Sequence, residues 1–332
     1  MRKQWRILWL FLLVFNLLCS VLVVPLGTCS KTRHDTNHAL TDDYDRWAVI
    51  IGISDYQGGE HDLHSPAHEA ELFYNALKIR DARWVNENMK LLTDQQATKA
   101  GIFAALDWLE ENADDGDRVI FTYNGHGSFV EDNGHDELDR RDEVIVTWEI
   151  SYITDDELGA RFDLIEDNNV SGMFLVFDSC LSGGLIDWIP WPWEHSSIRS
   201  AYSDEGKPWV AASYYSKELT TDIATKNRVV LVSSIPRGIA LSLNGPDGWF
   251  GFTRGLSRAV ERGRQTAEGI CRYAKISWLL NPTLLRVMFN PLLWLISVEY
   301  WMNEKLLICP FPMWNDRYPA SFPPGDRLSL VQ

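Results

Sequence analysis

Two short stretches hold side chains that together can break an amide bond. In FDSCLSGG, residues 177–184, Cys180 follows the hydrophobic run Met173–Phe177 and precedes Ser182, Gly183 and Gly184. In YNGHGS, residues 123–128, His126 stands between Gly125 and Gly127 after a second hydrophobic run, Arg118–Tyr123. A thiol is mostly protonated at neutral pH. An imidazole beside it can take that proton, or hold the sulfur as thiolate, and later protonate a departing amine. The small residues leave space for a substrate backbone, and the Gly127 amide can point at a developing oxyanion. Each motif alone is ordinary, since a strand-end cysteine is usually a buried small residue and Gly-His-Gly is usually a turn. At successive strand ends the two together point to nucleophilic acyl transfer.

Such a pair works only if the fold brings it together, and the hydrophobic pattern describes a fold that does. Trp47–Ile53, Lys90–Leu92, Arg118–Tyr123, Met173–Phe177 and Arg228–Ser233 read as strands. Between them, Ser65-Pro66 opens a helix to about Arg80, with serine at the N-cap and proline at the first helical position. Residues 98–112 form a helix with Ile102, Leu106 and Leu109 on one face. Thr154–Glu157 caps another helix that reaches about Glu166, and Thr253–Arg262 forms a fourth. This alternation predicts an α/β fold with a mostly parallel sheet and helices on both faces. Parallel neighbours would put His126 and Cys180 on one rim, at the strand ends where open α/β sheets hold their ligands. Residues 185–227 read as an irregular insertion.

The chain has 332 residues, 45% of them hydrophobic, enough for one large domain or two small ones. With 31 basic and 46 acidic residues its net charge is −15, which argues against nucleic acid or an anionic membrane as the main partner. Residues 1–30 stand apart. Arg2, Lys3 and Arg6 precede an uncharged apolar stretch from Ile7 to Ser30, the pattern of either a cleaved secretory signal or a retained membrane anchor. Both imply an extracytoplasmic protein, secreted or membrane-anchored. Three of the five cysteines, Cys180, Cys271 and Cys309, lie beyond that segment and are too scattered for a disulfide framework. A Cys271–Cys309 bridge would leave Cys180 as a thiol.

The segments WAVIIGISDY, GEHDLHSPAHEAELFYNAL, VIFTYNGHGS, DEVIVTWEISYITDDEL, FDSCLSGG, VVLVSS and GWFGFTRGL occur in that order. They resemble the caspase-like peptidases, and within them the metacaspase and prokaryotic branch, over about residues 46–263. His126 and Cys180, 54 residues apart, fall on the family's catalytic dyad, whose histidine precedes its cysteine by about 50 residues. The resemblance implies a three-layer α/β/α sandwich and oxyanion donors at the amides of Gly127 and Cys180. Asn124 stands where a serine is common, and Leu181 where histidine or phenylalanine is usual. Neither removes a catalytic atom. The resemblance divides the chain into the N-terminal segment 1–30, a peptidase domain over 45–265 and an apolar C-terminal extension over 266–332.

Two further sets of carboxylates follow from the resemblance. Asp142, Asp155, Asp156 and Asp187 resemble the four that bind calcium in some metacaspases. Calcium takes about six to eight oxygens, whereas Asp155 and Asp156 also suit the start of a helix without any metal. Asp178 lies two residues before Cys180, and strand periodicity turns both side chains to one face. Metacaspases carry aspartate there and cut after arginine or lysine, and a carboxylate in a partly dry pocket favours a guanidinium. Glu69, where the family often has another aspartate, adds to the same field. No organic cofactor is implied.

His61, His64 and His68 are closely spaced, but Ser65-Pro66 divides them between loop and helix, so they read as surface or capping residues rather than a zinc set. Asn169-Val-Ser171 fits a glycosylation sequon. In the C-terminal extension, Pro282, Arg286 and Pro291 cut the apolar run too short to span a bilayer, so it packs on the catalytic domain, lies on a membrane surface or meets a partner. The expected function is a cysteine endopeptidase acting on proteins or peptides, with any membrane contact through the N-terminal segment or this extension. The alternatives are a catalytically silent scaffold that keeps the fold and a transpeptidase with the same acyl-enzyme chemistry.

Overall fold

Strands buried on both faces form the centre of the computed structural model. It describes residues 44–131, 141–180, 223, 227–233, 243–245, 248–281, 313–316 and 328–331. The N-terminal segment, Asp187 and Cys309 lie outside the described residues. β1 (Arg46–Gly52), β2 (Met89–Thr93), β3 (Arg118–Asn124), β7 (Gly172–Asp178), β8 (Arg228–Val232) and β11 (Met313–Asp316) form a six-stranded sheet in the order β11-β8-β7-β3-β1-β2. All neighbours are parallel except β11, which runs antiparallel to β8. The helices are α1 (Pro66–Arg80), α2 (Lys99–Asn112), α3 (Asp155–Asp167), α4 (Arg254–Glu261) and α5 (Ala267–Leu279).

Period-two alternation sorts the strand side chains into two cores. Val49, Ile51, Val119, Phe121, Leu175 and Phe177 face Ile102, Leu106 and Leu109 of α2 and Leu158, Phe162 and Ile165 of α3. Ala48, Ile50, Ile120, Phe174, Val176 and Leu231 face α1, α4 and α5. The result is the α/β/α sandwich that the hydrophobic pattern implies. Thr98 caps α2 by accepting the Gly101 N–H at 3.0 Å, and Thr154 with Glu157 closes a capping box on α3.

Two features depart from the sequence reading. A small antiparallel sheet, β4 (Gly127–Glu131), β5 (Arg141–Val146) and β6 (Tyr152–Thr154), starts one residue after His126. A two-stranded ribbon, β9 (Leu243–Gly245) with β10 (Gly248–Phe250), precedes α4. The described residues of the C-terminal part pack on the catalytic domain, one of the placements open in the sequence. α5 buries Ala267, Ile270, Cys271, Ala274 and Trp278 in the second core, where Leu328, Leu330 and Val331 join it. Trp84 Nε1 donates to the Leu330 carbonyl at 3.0 Å, and β11 completes the central sheet. The described residues beyond 265 thus share the second core with Phe73 of α1 and Leu256 of α4. Among the described residues no helix is long and apolar enough to cross a membrane.

Candidate active site

β3 and β7 are hydrogen-bonded neighbours with Asn124 opposite Asp178, and the Gly125 N–H continues the ladder to the Asp178 carbonyl at 3.2 Å. His126 and Cys180 each lie two residues past these paired ends, on the same rim. A Cβ at position 127 would overlap the Cys180 carbonyl oxygen and stand 2.9 Å from Ser179 Oγ, so this close approach of the two turns requires glycine.

His126 is held by a loop. Its Nε2 lies 2.8 Å from the His61 carbonyl oxygen. A carbonyl only accepts, so Nε2 carries the hydrogen and the neutral ring keeps its lone pair on Nδ1, which makes Nδ1 the basic nitrogen. Burial lowers the His126 pKa from the ordinary 6.5, against the opposing pull of the His61 carbonyl. The ring is therefore neutral near pH 7 and able to accept a proton. The loop that presents His61 is itself fixed: the Ser54 and Asp55 amides donate to Asp94 Oδ1 at 2.8 and 2.9 Å, and the Tyr56 amide donates to Asp62 Oδ1 at 2.9 Å. Sequence reasoning missed this part of His61, because a backbone carbonyl leaves no trace in side-chain chemistry. His64 is exposed, and His68 stands on the exposed face of α1 beside Glu71.

Glu69 and Asp178 meet beneath the rim on the α1 and α4 side. A Cβ on Gly251 would lie 3.2 Å from Glu69 Oε2 and 3.3 Å from Asp178 Oδ2. Glu69 accepts the Gly251 amide and, at 3.1 Å, the Arg254 amide; Asp178 accepts the Thr253 amide at 2.7 Å and its hydroxyl at 2.9 Å. Both carboxyls thus receive the N–H groups at the start of α4. β7 ends at Asp178 and a bend follows, so strand periodicity stops short of Cys180, contrary to the geometric argument from spacing. Ser65 occupies the N-cap position of α1 without capping it, because its hydroxyl turns to the buried Glu69.

Burial, then the neighbouring Asp178 charge, pushes the Glu69 pKa from 4.5 up to about 8, and burial also raises that of Asp178. The folded chain therefore keeps a proton on Glu69 that the unfolded chain releases above about pH 4.5. Stability from this group is fully present below that pH and is lost as pH rises through about 8. Denaturant titrations from pH 5 to 9 should show wild-type stability falling by a few kcal/mol, and Glu69→Gln should flatten that fall. An equal fall in both proteins would locate its origin elsewhere.

With this geometry in view, comparison with known proteins is direct. Residues 46–189 match the family model described as metacaspase, peptidase C14 domain. That stretch is similar to the metacaspase type of caspase-like peptidase. Metacaspase-1 of Saccharomyces cerevisiae strain YJM789 is 29% identical over 201 residues, spanning 57% of this chain and 44% of that protein. Metacaspase-4 of Arabidopsis thaliana is 35% identical over 146 residues, 42% of this chain and 34% of that protein. The chain thus spans less than half the length of these curated relatives. Among solved structures, caspase-1 from Spodoptera frugiperda aligns over 87% of this chain and 90% of its own with a TM-score of 0.47 and 9% identity. A Geobacter sulfurreducens protein aligns over 72% and 90% with a TM-score of 0.47 and 18% identity.

Of the acidic residues singled out for calcium, Asp142, Asp155 and Asp156 lie among the described residues. Asp142 lies on β5 opposite Val130 of β4, two residues before Val144, which pairs with Thr154; Asp155, buried, and Asp156 open α3. Asp155 Oδ1 accepts the Asp156 amide at 3.1 Å. Among the described residues, no three His, Cys, Asp or Glu side chains stand close enough to hold a metal ion.

Proposed function

We propose that this chain is an exported cysteine endopeptidase that cleaves after arginine or lysine. The observation that supports it most is the β3–β7 register, which brings His126 and Cys180 to one rim with Gly127 packed against the Cys180 turn. In the reaction, His126 Nδ1 accepts the Cys180 proton and the thiolate attacks the substrate carbonyl carbon. The oxyanion is met by the Gly127 and Cys180 amides. The imidazolium then protonates the departing amine, leaving an acyl-enzyme. Water, deprotonated by the same imidazole, releases the acid and restores the thiol. Asp178 supplies the negative field for the basic side chain before the scissile bond, and Glu69 beside it keeps its own proton up to about pH 8 and leaves the charge on Asp178. The test is a fluorogenic peptide panel differing only at that residue: hydrolysis of Arg and Lys peptides with little after Asp supports the reading, and preference for Asp sinks it.

Calcium belongs to the same reading. Asp142, Asp155, Asp156 and Asp187 offer only hard carboxylate oxygens, which suit calcium rather than a soft metal. The ion would tie the start of α3 to the segment after Cys180. Calcium should then raise the melting temperature of the wild type by mass action, and Asp155→Ala should lose that increment. A wild-type melting curve indifferent to calcium and to chelator would refute the site.

A further inference from the structure

The turn after β3 closes a circuit of hydrogen bonds around the His126 peptide. The His126 N–H donates to Tyr56 Oη at 2.7 Å, and the Tyr56 and Tyr123 hydroxyls are 3.4 Å apart. Tyr123 Oη lies 2.7 Å from both the His126 and the Val146 carbonyl oxygens. A phenol has one proton to give. Tyr56 Oη accepts from the amide, so its own proton is available to Tyr123 Oη, whose proton goes to one of the two carbonyls. Through the His126 carbonyl the circuit begins and ends on the same residue.

Every part of this arrangement is constrained. Tyr56 and Tyr123 are 1% and 0% exposed. Burial pushes the Tyr56 hydroxyl up to about 12 and that of Tyr123 well above its usual 10, so both remain donors across any working pH. The Tyr56 ring also lies against the imidazole, with centroids 4.9 Å apart and planes at 45°. A Cβ at position 125 would stand 2.6 Å from each hydroxyl, so the circuit needs glycine there. Tyr56 and His61 belong to one loop, which therefore holds both the peptide and the ring of His126.

We propose that Tyr56 is a positioning residue for the reaction: its hydroxyl and ring fix His126 in the orientation that gives Nε2–H to the His61 carbonyl and leaves Nδ1 for proton transfer. The proposal rests on the His126/Cys180 reading above. Tyr56→Phe keeps the ring and removes the acceptor of the His126 N–H, loosening the imidazole. The titratable groups around that imidazole are His61, Tyr56, Tyr123 and Cys180.

In the full chain, Tyr56→Phe should lower kcat about 10- to 100-fold with KM little changed. The acid limb of kcat/KM should move up as the loosened ring gains water and its pKa returns toward the ordinary value. Tyr123→Phe should cost less, because the His126 carbonyl keeps the Val146 amide at 2.9 Å. The double variant should lose less than the product of the two, since they share one circuit. The His126 pKa, followed by NMR in a Cys180→Ala background, should rise on adding Tyr56→Phe. That rise, with no peptide turnover by the wild type, would sink the peptidase reading and leave the positioning of His126 standing. Wild-type kcat and an unmoved His126 pKa in Tyr56→Phe would overturn the proposal. Should Tyr56→Phe fail to fold, Tyr123→Phe decides by the same two readouts.

Discussion

Cys180→Ala and His126→Ala are each expected to stay folded and to lose peptide hydrolysis by roughly four orders of magnitude or more. The expectation follows from the division of labour on the rim. Without the sulfur there is no covalent intermediate; without the imidazole neither the thiol nor the leaving amine has a proton partner. Because the two groups act as a unit, the double variant should be no worse than the single ones. A peptidyl electrophile directed at thiols should label Cys180 in the wild type and far more slowly in His126→Ala. Full activity in Cys180→Ala or Cys180→Ser would end the reading. Half-buried His126 and Cys180 at a solvent-facing rim should tolerate truncation, so unchanged melting curves are the control.

The second large effect concerns Asp178. Removing one member of a buried charge pair costs about 2–5 kcal/mol, so Asp178→Asn should lower kcat/KM on arginine peptides by about two orders of magnitude or more. The same carboxylate also receives the Thr253 amide and hydroxyl, so the substitution disturbs the start of α4 as well. A matched substrate separates the two roles. Peptides with citrulline in place of arginine keep the shape and lose the charge. A loss confined to arginine marks a pocket that binds cations. An equal loss on both substrates would reduce Asp178 to an anchor for α4.

Much of this was legible in the sequence, and for identifiable reasons. The strands that carry His126 and Cys180 are hydrophobic on both faces, so 118–124 and 172–178 read as central parallel strands without any partner being known. Pro66, Thr98 and the Thr154–Glu157 box mark helix starts by chemistry that acts within one turn. What was hidden acts at a distance or through the backbone. The His61 carbonyl has no sequence signature. The joint capping of α4 by Glu69 and Asp178 joins residues 182 and 75 positions apart. Tyr56 and Tyr123 did carry a signal, since a phenol buried at a strand end must find a partner for its hydroxyl, and the glycine between His126 and Asn124 marks where it does.

The seat of Leu330 on Trp84 has a consequence for how the molecule is made. These residues are 246 positions apart, and β11 reaches β8 across more than eighty. A chain synthesised from its amino end has every residue of the rim long before it has these. Until they arrive, β8 offers an open edge of amides and carbonyls to any passing strand, and one wall of the second core faces water. Closures over such separations are slow, and the waiting species are the ones that aggregate. The newborn chain therefore acquires its nucleophile early and this part of its scaffold late, so β11 and the segment around Leu330 determine whether the thiol ends up in an enzyme or in a clump.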